Sequence, residues 1–137
     1  MSVDLGAPQV ELTVPCAPEY LAMIRLVASS VATSAGMDID DIDDLRIAAD
    51  ELCYLLMSAS AEDRDIHMRF TLSTGRVVME GKRSGWPEGG VLPGASDLMV
   101  KILAQVVDDF EITGADGAVS FRAVKDHSSA GSGTPAS

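Results

Sequence analysis

Aromatic side chains and positive charge are both in short supply, and each shortage excludes something. Aromatics make up 4% of the 137 residues, so a core has to be built from aliphatic Val, Ile, Leu, Ala and Met rather than from rings. Lys and Arg number 10 against 21 Asp and Glu, a formal net charge of −11. Phosphate backbones are held by clustered cations, so this balance argues against direct nucleic-acid binding. It suits a protein that stays dispersed or that meets a basic partner. Cysteine is limited to Cys16 and Cys53, both inside apolar patterns and in no CxxC. They read as two buried thiols in a reducing compartment. No apolar run reaches the ~20 residues that span a bilayer, so no membrane association is expected. The N-terminus lacks a basic stretch leading into an apolar one, so no signal peptide is expected and the cytoplasm is the expected location.

What is present is enough for one domain, with an ordinary hydrophobic fraction of 47%. Residues 1–8 form an irregular lead and 9–126 the folded unit. The tail "HSSAGSGTPAS" (127–137) is small and polar, and disorder is expected there. "QVELTVP" (9–15) alternates apolar and polar residues and predicts a strand ended by Pro15. Pro18 suits a first helical turn. Tyr20, Met23, Ile24, Val27 and Val31 follow at helical spacing until Gly36 stops them.

"DIDDIDD" (38–44) is an acidic run. Helical spacing fans its carboxylates apart, and no Gly or Glu falls where a calcium loop needs them. It predicts a helix start, with Asp38 or Asp40 as cap and acids at the positive dipole end, and no metal. Ile42, Leu45, Ala48, Ala49, Leu52, Leu55, Leu56 and Ala59 then form a broad core stripe.

"DIHMRFTLS" (65–73) and "RVVME" (76–80) predict a hairpin around "STG". "GKRSGWPEGGVLPG" (81–94) reads as a Gly- and Pro-rich loop. "SDLMVKILAQVV" (96–107) reads as a helix capped by Ser96, with Leu98, Met99, Ile102, Leu103, Val106 and Val107 inward. "DDFEIT" (108–113) and "AVSFRAV" (118–124) predict a closing hairpin about "GADG". His67 falls on the polar side of its strand with no second His or Cys at metal spacing. His127 carries no signal. Trp86 suits either packing over the core or a partner contact. The order predicts a two-layer α/β (α+β) sandwich, a mixed and mostly antiparallel sheet covered on one face by three helices.

"DDLRIAADELCYLLM" on the second helix, with this element order, resembles the anti-sigma-factor serine kinases of bacteria (the RsbW/SpoIIAB type). These are GHKL ATPases with the histidine-kinase-like ATPase fold. "VPCAPEYLAMIRLVASSVA" looks like the family's first strand end and first helix. "ASDLMVKILAQVVDDFEI" looks like the helix and strand after its nucleotide lid. The resemblance covers roughly residues 9–125.

The resemblance implies Glu and Asn four residues apart on the second helix, the Glu as base and the Asn on Mg²⁺. Here Glu51 matches the acid and Leu55 stands at the Asn position, where a hydrocarbon offers the metal no oxygen. Glu51 itself reads either as a remnant of the catalytic carboxylate or as a solvated helix-face acid. The family's Asp-x-Gly-x-Gly aligns with Gly81-x-Arg83-x-Gly85, so the adenine-binding Asp is Gly81. At the lid end, Gly94 and Ala95 keep small-residue character, but Asp97 puts negative charge at a helix start where phosphates belong. The resemblance therefore implies an anti-sigma factor with a degenerate ATP site. It would sequester a stress-type alternative sigma factor and be relieved by an anti-anti-sigma partner, with no cofactor expected. The other reading is an active serine kinase using ATP and Mg²⁺ to phosphorylate that anti-anti-sigma factor. Arg25 falls where the family carries a partner-contacting Arg on the first helix, although a plain surface Arg is as ordinary. A homodimer is also implied.

Overall fold

Period-two alternation in five segments builds the sheet. The computed structural model describes residues 7–57, 64–85, 96–115 and 117–127. Its strands are β1 (Gln9–Pro15), β2 (Asp65–Ser73), β3 (Arg76–Ser84), β4 (Asp109–Ala115) and β5 (Ala118–Asp126). They lie in the order β1-β2-β3-β5-β4. All four pairings are antiparallel, so the sheet is antiparallel throughout rather than mixed. The pair of helices between β1 and β2 brings the chain back to start β2 beside the end of β1, and hairpins make two of the other joins.

One face of the sheet is buried by Ile66, Met68, Phe70, Val77, Met79, Val119, Phe121 and Ala123. Helices α1 (Leu21–Ser34), α2 (Ile39–Met57) and α3 (Asp97–Val106) supply the facing layer. Pro18 opens a 3₁₀ turn, Pro18–Tyr20, ahead of α1 rather than α1 itself. Gly36 ends that helix at φ +85°, a left-handed conformation that glycine adopts without a Cβ penalty. Asp38 caps α2 by accepting from the Asp41 amide at 3.0 Å. Ser96 caps α3 by accepting from the Met99 amide at 3.1 Å.

Two helical residues expected in the core lie outside it. Met23 and Leu98 are exposed, while Ile24, Ala28, Val31 and Ala32 carry the buried stripe of α1 and Met99, Leu103 and Val106 that of α3. Apolar residues on those helices exceed what a single buried stripe holds, and sequence spacing alone does not pick the inward ones. α2 follows expectation through Leu45, Ala48, Ala49, Leu52, Leu55 and Leu56. Its Ala48 and Ala49, with Ala28 and Ala32 of α1, let the two helices approach closely.

The sheet's other face is polar, and one row of it has a strict order. Glu11 pairs with Arg69, Arg69 with Glu80, Glu80 with Arg122, and Arg122 with Glu111. Opposite charges thus alternate across all five strands, an arrangement that favours this register because a one-residue slip would break it. Arg69 and Glu80 close to 3.3 Å.

Candidate functional site

The residues singled out on α2 sit at the boundary between core and surface. Glu51 is half-buried, while Leu55, one turn on, is 5% exposed and packs in the hydrophobic core. Their i, i+4 spacing puts both on one helix side, so the Asn position of the family pattern is filled here by a core aliphatic. Between them, the buried Cys53 thiol is pushed up to about 12, first by burial and then by the nearby charge of Asp50. That keeps it protonated and chemically quiet.

The strand opposite differs from the sequence reading. β3 does not stop at Glu80 but runs to Ser84, which puts Gly81 in its interior, opposite Met68 and Phe121. A Cβ at Gly81 would lie 2.5 and 2.6 Å from two ring carbons of Phe121 and 2.9 Å from the sulfur of Met68. Gly81 is therefore required by packing of the Phe121 ring against backbone, although its place in "GKRSGWPEGG" predicts the first residue of a loop. The extension also carries Arg83 to the helix-facing side, alternating with Val77, Met79 and Gly81. Arg83 is fully buried, and its Nη1 donates to the Leu56 carbonyl oxygen at 2.5 Å. A cation at the last turn of α2 meets the negative end of the helix dipole. Gly85 follows at φ +77°. Arg83 was legible only as a loop residue, because nothing in "GKRSG" announces a strand.

Glu51, Leu55, Gly81 and Arg83 are thus gathered on α2 and the facing strand. Gly94, Ala95 and Trp86 lie outside the described residues. Asp97 is the exposed first residue of α3.

Arg25 lies elsewhere, on the outward side of α1. Its Nη1 meets Oδ2 of Asp50 on α2 at 3.3 Å, with both side chains more than a third exposed. It lines a shallow groove of about 450 Å³ with Ala22, Leu26, Ser29 and Arg46. An adjoining groove is lined by Arg25, Asp43, Arg46, Ile47 and Asp50.

Sequence reading also missed a charge cluster at the start of α2. β5 runs to Asp126, two residues beyond the expected end, and delivers His127 onto Asp41. The His127 Nδ1 lies 2.5 Å from Asp41 Oδ2, and Asp41 is fully buried. Lys125 reaches Asp44 at 3.0 Å and Asp41 at 3.7 Å. The acidic run does not simply fan apart: potential ligand atoms of Asp38, Asp41 and His127 lie within 4.8 Å of one another. His67 is on the polar face as expected, 2.8 Å from the Thr13 hydroxyl. Among the described residues no helix is long and apolar enough to cross a membrane.

No protein-family model matches the chain. Individual proteins do. It is 38% identical over 75 residues, 53% of this chain and 47% of the relative, to the serine-protein kinase RsbW of Bacillus subtilis. It is 29% identical over 106 residues, 77% of this chain and 62% of the relative, to the anti-sigma-F factor RsbW of Mycobacterium tuberculosis. Its matches thus span about half the length of these curated relatives. A crystal structure of the RsbU and RsbW domains of a Mycobacterium tuberculosis protein superposes with a TM-score of 0.67, at 16% identity. The overlap covers 87% of this chain and 32% of that one. The antiparallel sheet under three helices is therefore shared with a solved RsbW-containing structure.

Proposed function

Starting from a chain that is a relative of the RsbW proteins in sequence and shares their fold, we propose that it is an anti-sigma factor. It would sequester an alternative sigma factor and be released by an anti-anti-sigma protein, with little or no ATP turnover. The name carried by the Mycobacterium tuberculosis relative supports the anti-sigma part.

The occupation of the nucleotide-site positions by core packing supports the absence of turnover, and Leu55 carries the argument. Mg²⁺ needs an oxygen-rich, near-octahedral shell, and a buried leucine in the core supplies none. Gly81 has its side-chain space filled by Phe121 and Met68, which leaves no room for a carboxylate. Arg83 fills the layer between β3 and the end of α2. These residues do not fit a Mg²⁺–triphosphate complex, and no catalytic step is derived through one.

The kinase reading rests on the other relatives' name, serine-protein kinase RsbW, together with the retained Glu51. A melting experiment separates the two readings. Ligand that binds the native state must raise its melting temperature. With millimolar ATP and Mg²⁺ the expected shift is within error of zero, and a reproducible rise would move the assignment to the kinase. Co-purification with a sigma factor tests the anti-sigma part, with Arg25→Glu expected to abolish it. A folded Arg25→Glu protein that still retains the sigma factor would remove Arg25 from the contact.

A further inference from the structure

The face of the sheet turned away from the helices carries a second row beside the alternating one. From β1 to β4 it runs Thr13, His67, Lys82, Ser120 and Thr113, and it contains no carboxylate. Residues two apart on a strand share a face, so this row lies next to Glu11, Arg69, Glu80, Arg122 and Glu111. Residues of both rows line a cavity of about 340 Å³, at the small end of the range for ligand sites.

Two cations at this cavity hold no carboxylate. Lys82 and Arg122 are exposed, and among the described residues neither closes an ion pair, whereas Arg25, Arg46, Arg69, Arg76 and Lys125 each do. Acids outnumber cations 21 to 10, so two neighbouring cations left without one mark a place where an external anion is the available partner. Glu80 faces Arg122 across the β3–β5 pairing but closes on Arg69 instead, at 3.3 Å. Glu111 faces Arg122 from β4 without coming to ion-pair distance. Glu11 and Glu111 stand two strands from Lys82, roughly 10 Å away at the usual strand spacing. Lys82 is opposite Ser120, and Arg122 lies two residues beyond it. Such diagonal positions are ~7–8 Å apart, within reach of long side chains, so both cations can close on one group between them. The half-buried Ser120 adds a hydroxyl directly opposite Lys82. His67, opposite Lys82 on the other side, meets the Thr13 hydroxyl through Nδ1 at 2.8 Å, which leaves Nε2 as its open nitrogen. An ammonium, a guanidinium fork and a hydroxyl suit an anion with several oxygens. A single carboxylate would engage only part of that set.

We infer that this cavity binds the phosphate dianion, free or as a small phosphomonoester, with Lys82 and Arg122 as its charged anchors and Ser120 as a neutral donor. The flanking glutamates restrict it to a compact group seated between the two cations, and they repel extended polyanions. The site lies on the sheet face opposite Leu55 and α2, so the inference stands independently of the anti-sigma reading and of the nucleotide-site positions.

The test is titration of the full chain with inorganic phosphate and with glycerol phosphate, read by amide chemical shifts at constant ionic strength in chloride. It is run at about pH 8, where both ligands are dianions, and without Mg²⁺, which would otherwise occupy the phosphate oxygens. Saturable binding is expected, with the largest shifts on β3 and β5. Lys82→Gln is expected to weaken it about tenfold or more and Arg122→Gln about fivefold or more, as loss of a charge-assisted hydrogen bond implies. Lys101→Gln, an exposed cation on α3, is expected to leave it unchanged. Tighter binding of glycerol phosphate assigns the site to an ester whose organic part fills the cavity, and equal or tighter binding of inorganic phosphate assigns it to the free ion. Circular dichroism confirms that each variant is folded, and Lys82→Gln carries the test should Arg122→Gln not be. No saturable response from the parent, or an equal response from Lys82→Gln, overturns the site. Neither result bears on the anti-sigma reading, which co-purification with a sigma factor tests separately.

Discussion

Arg83, at the end of β3, donates to the Leu56 carbonyl in the last turn of α2 across 2.5 Å. This buried charge–dipole contact ties the sheet to the helix that bears Glu51 and Leu55. Removing the side chain takes away both the hydrogen bond and the volume of a long, fully buried residue. Arg83→Ala is therefore expected to lower stability by about 2–4 kcal/mol, read as a fall in the urea midpoint. Arg83→Met, which keeps most of the volume, should lose less than half as much. Equal losses in the two variants would make hydrogen bonding, not packing, the dominant contribution.

Gly81 tests the packing directly. Its missing Cβ leaves room for the Phe121 ring, so Gly81→Ala is expected to destabilise by about 1–3 kcal/mol through overpacking. Gly81→Asp, which restores the acid of the family pattern, should be worse, since it buries a carboxylate against a ring. Phe121→Leu combined with Gly81→Ala should recover part of the loss. A double-mutant cycle with no coupling would disconnect the two residues.

These two positions also show where the sequence stops being informative. Strong period-two stretches such as "IHMRF" and the capped "SDLMVKILAQV" fixed element type and order, because alternation and capping are local. The extent of β3 was not local. Gly81 looks like loop punctuation until Phe121, forty residues on, is seen against it, and Arg83 looks solvent-bound until the strand is known to continue. The choice of inward residue on α1 and α3 likewise depends on neighbours, which is why Met23 and Leu98 were misplaced. At the candidate site, Glu51, Leu55 and Arg25 were visible as residue types, but the groove that joins Arg25 to Arg46 exists only once α1 and α2 are packed.

Cys53 gives a pH signature. Its thiol rises from 9.0 to about 12 on burial. In the unfolded chain it ionises near its ordinary value, while the native state keeps the proton, so its contribution is full below pH 9 and is lost as pH climbs towards 12. The slope over that window approaches about 1.4 kcal/mol per pH unit. Stability of the parent relative to Cys53→Ala should therefore decline between pH 9 and 12 and be flat below. A thiol reagent should modify the half-buried Cys16 well before Cys53, which reacts only on unfolding.

His127 closes the far end of the molecule. Its amide donates to the Gly75 carbonyl at 2.8 Å and its ring rests on Asp41, so one residue connects the β2–β3 turn, the end of β5 and the first turn of α2. Asp41 has no exposed surface, and a buried carboxylate that loses a hydrogen-bond partner is costly. His127→Ala is expected to destabilise by about 1–3 kcal/mol. Asp41→Asn should do so as well, because Lys125 would then face a neutral amide at that position. If the two side chains act on each other, the double variant His127→Ala/Asp41→Asn loses less than the sum of the single losses, by about 1 kcal/mol. Strict additivity in urea unfolding would mean that the ring and the carboxylate are neighbours without an energetic connection, and that the end of β5 is held by its other contacts, the Gly75 backbone bond and the Arg76–Asp126 pair at 2.6 Å.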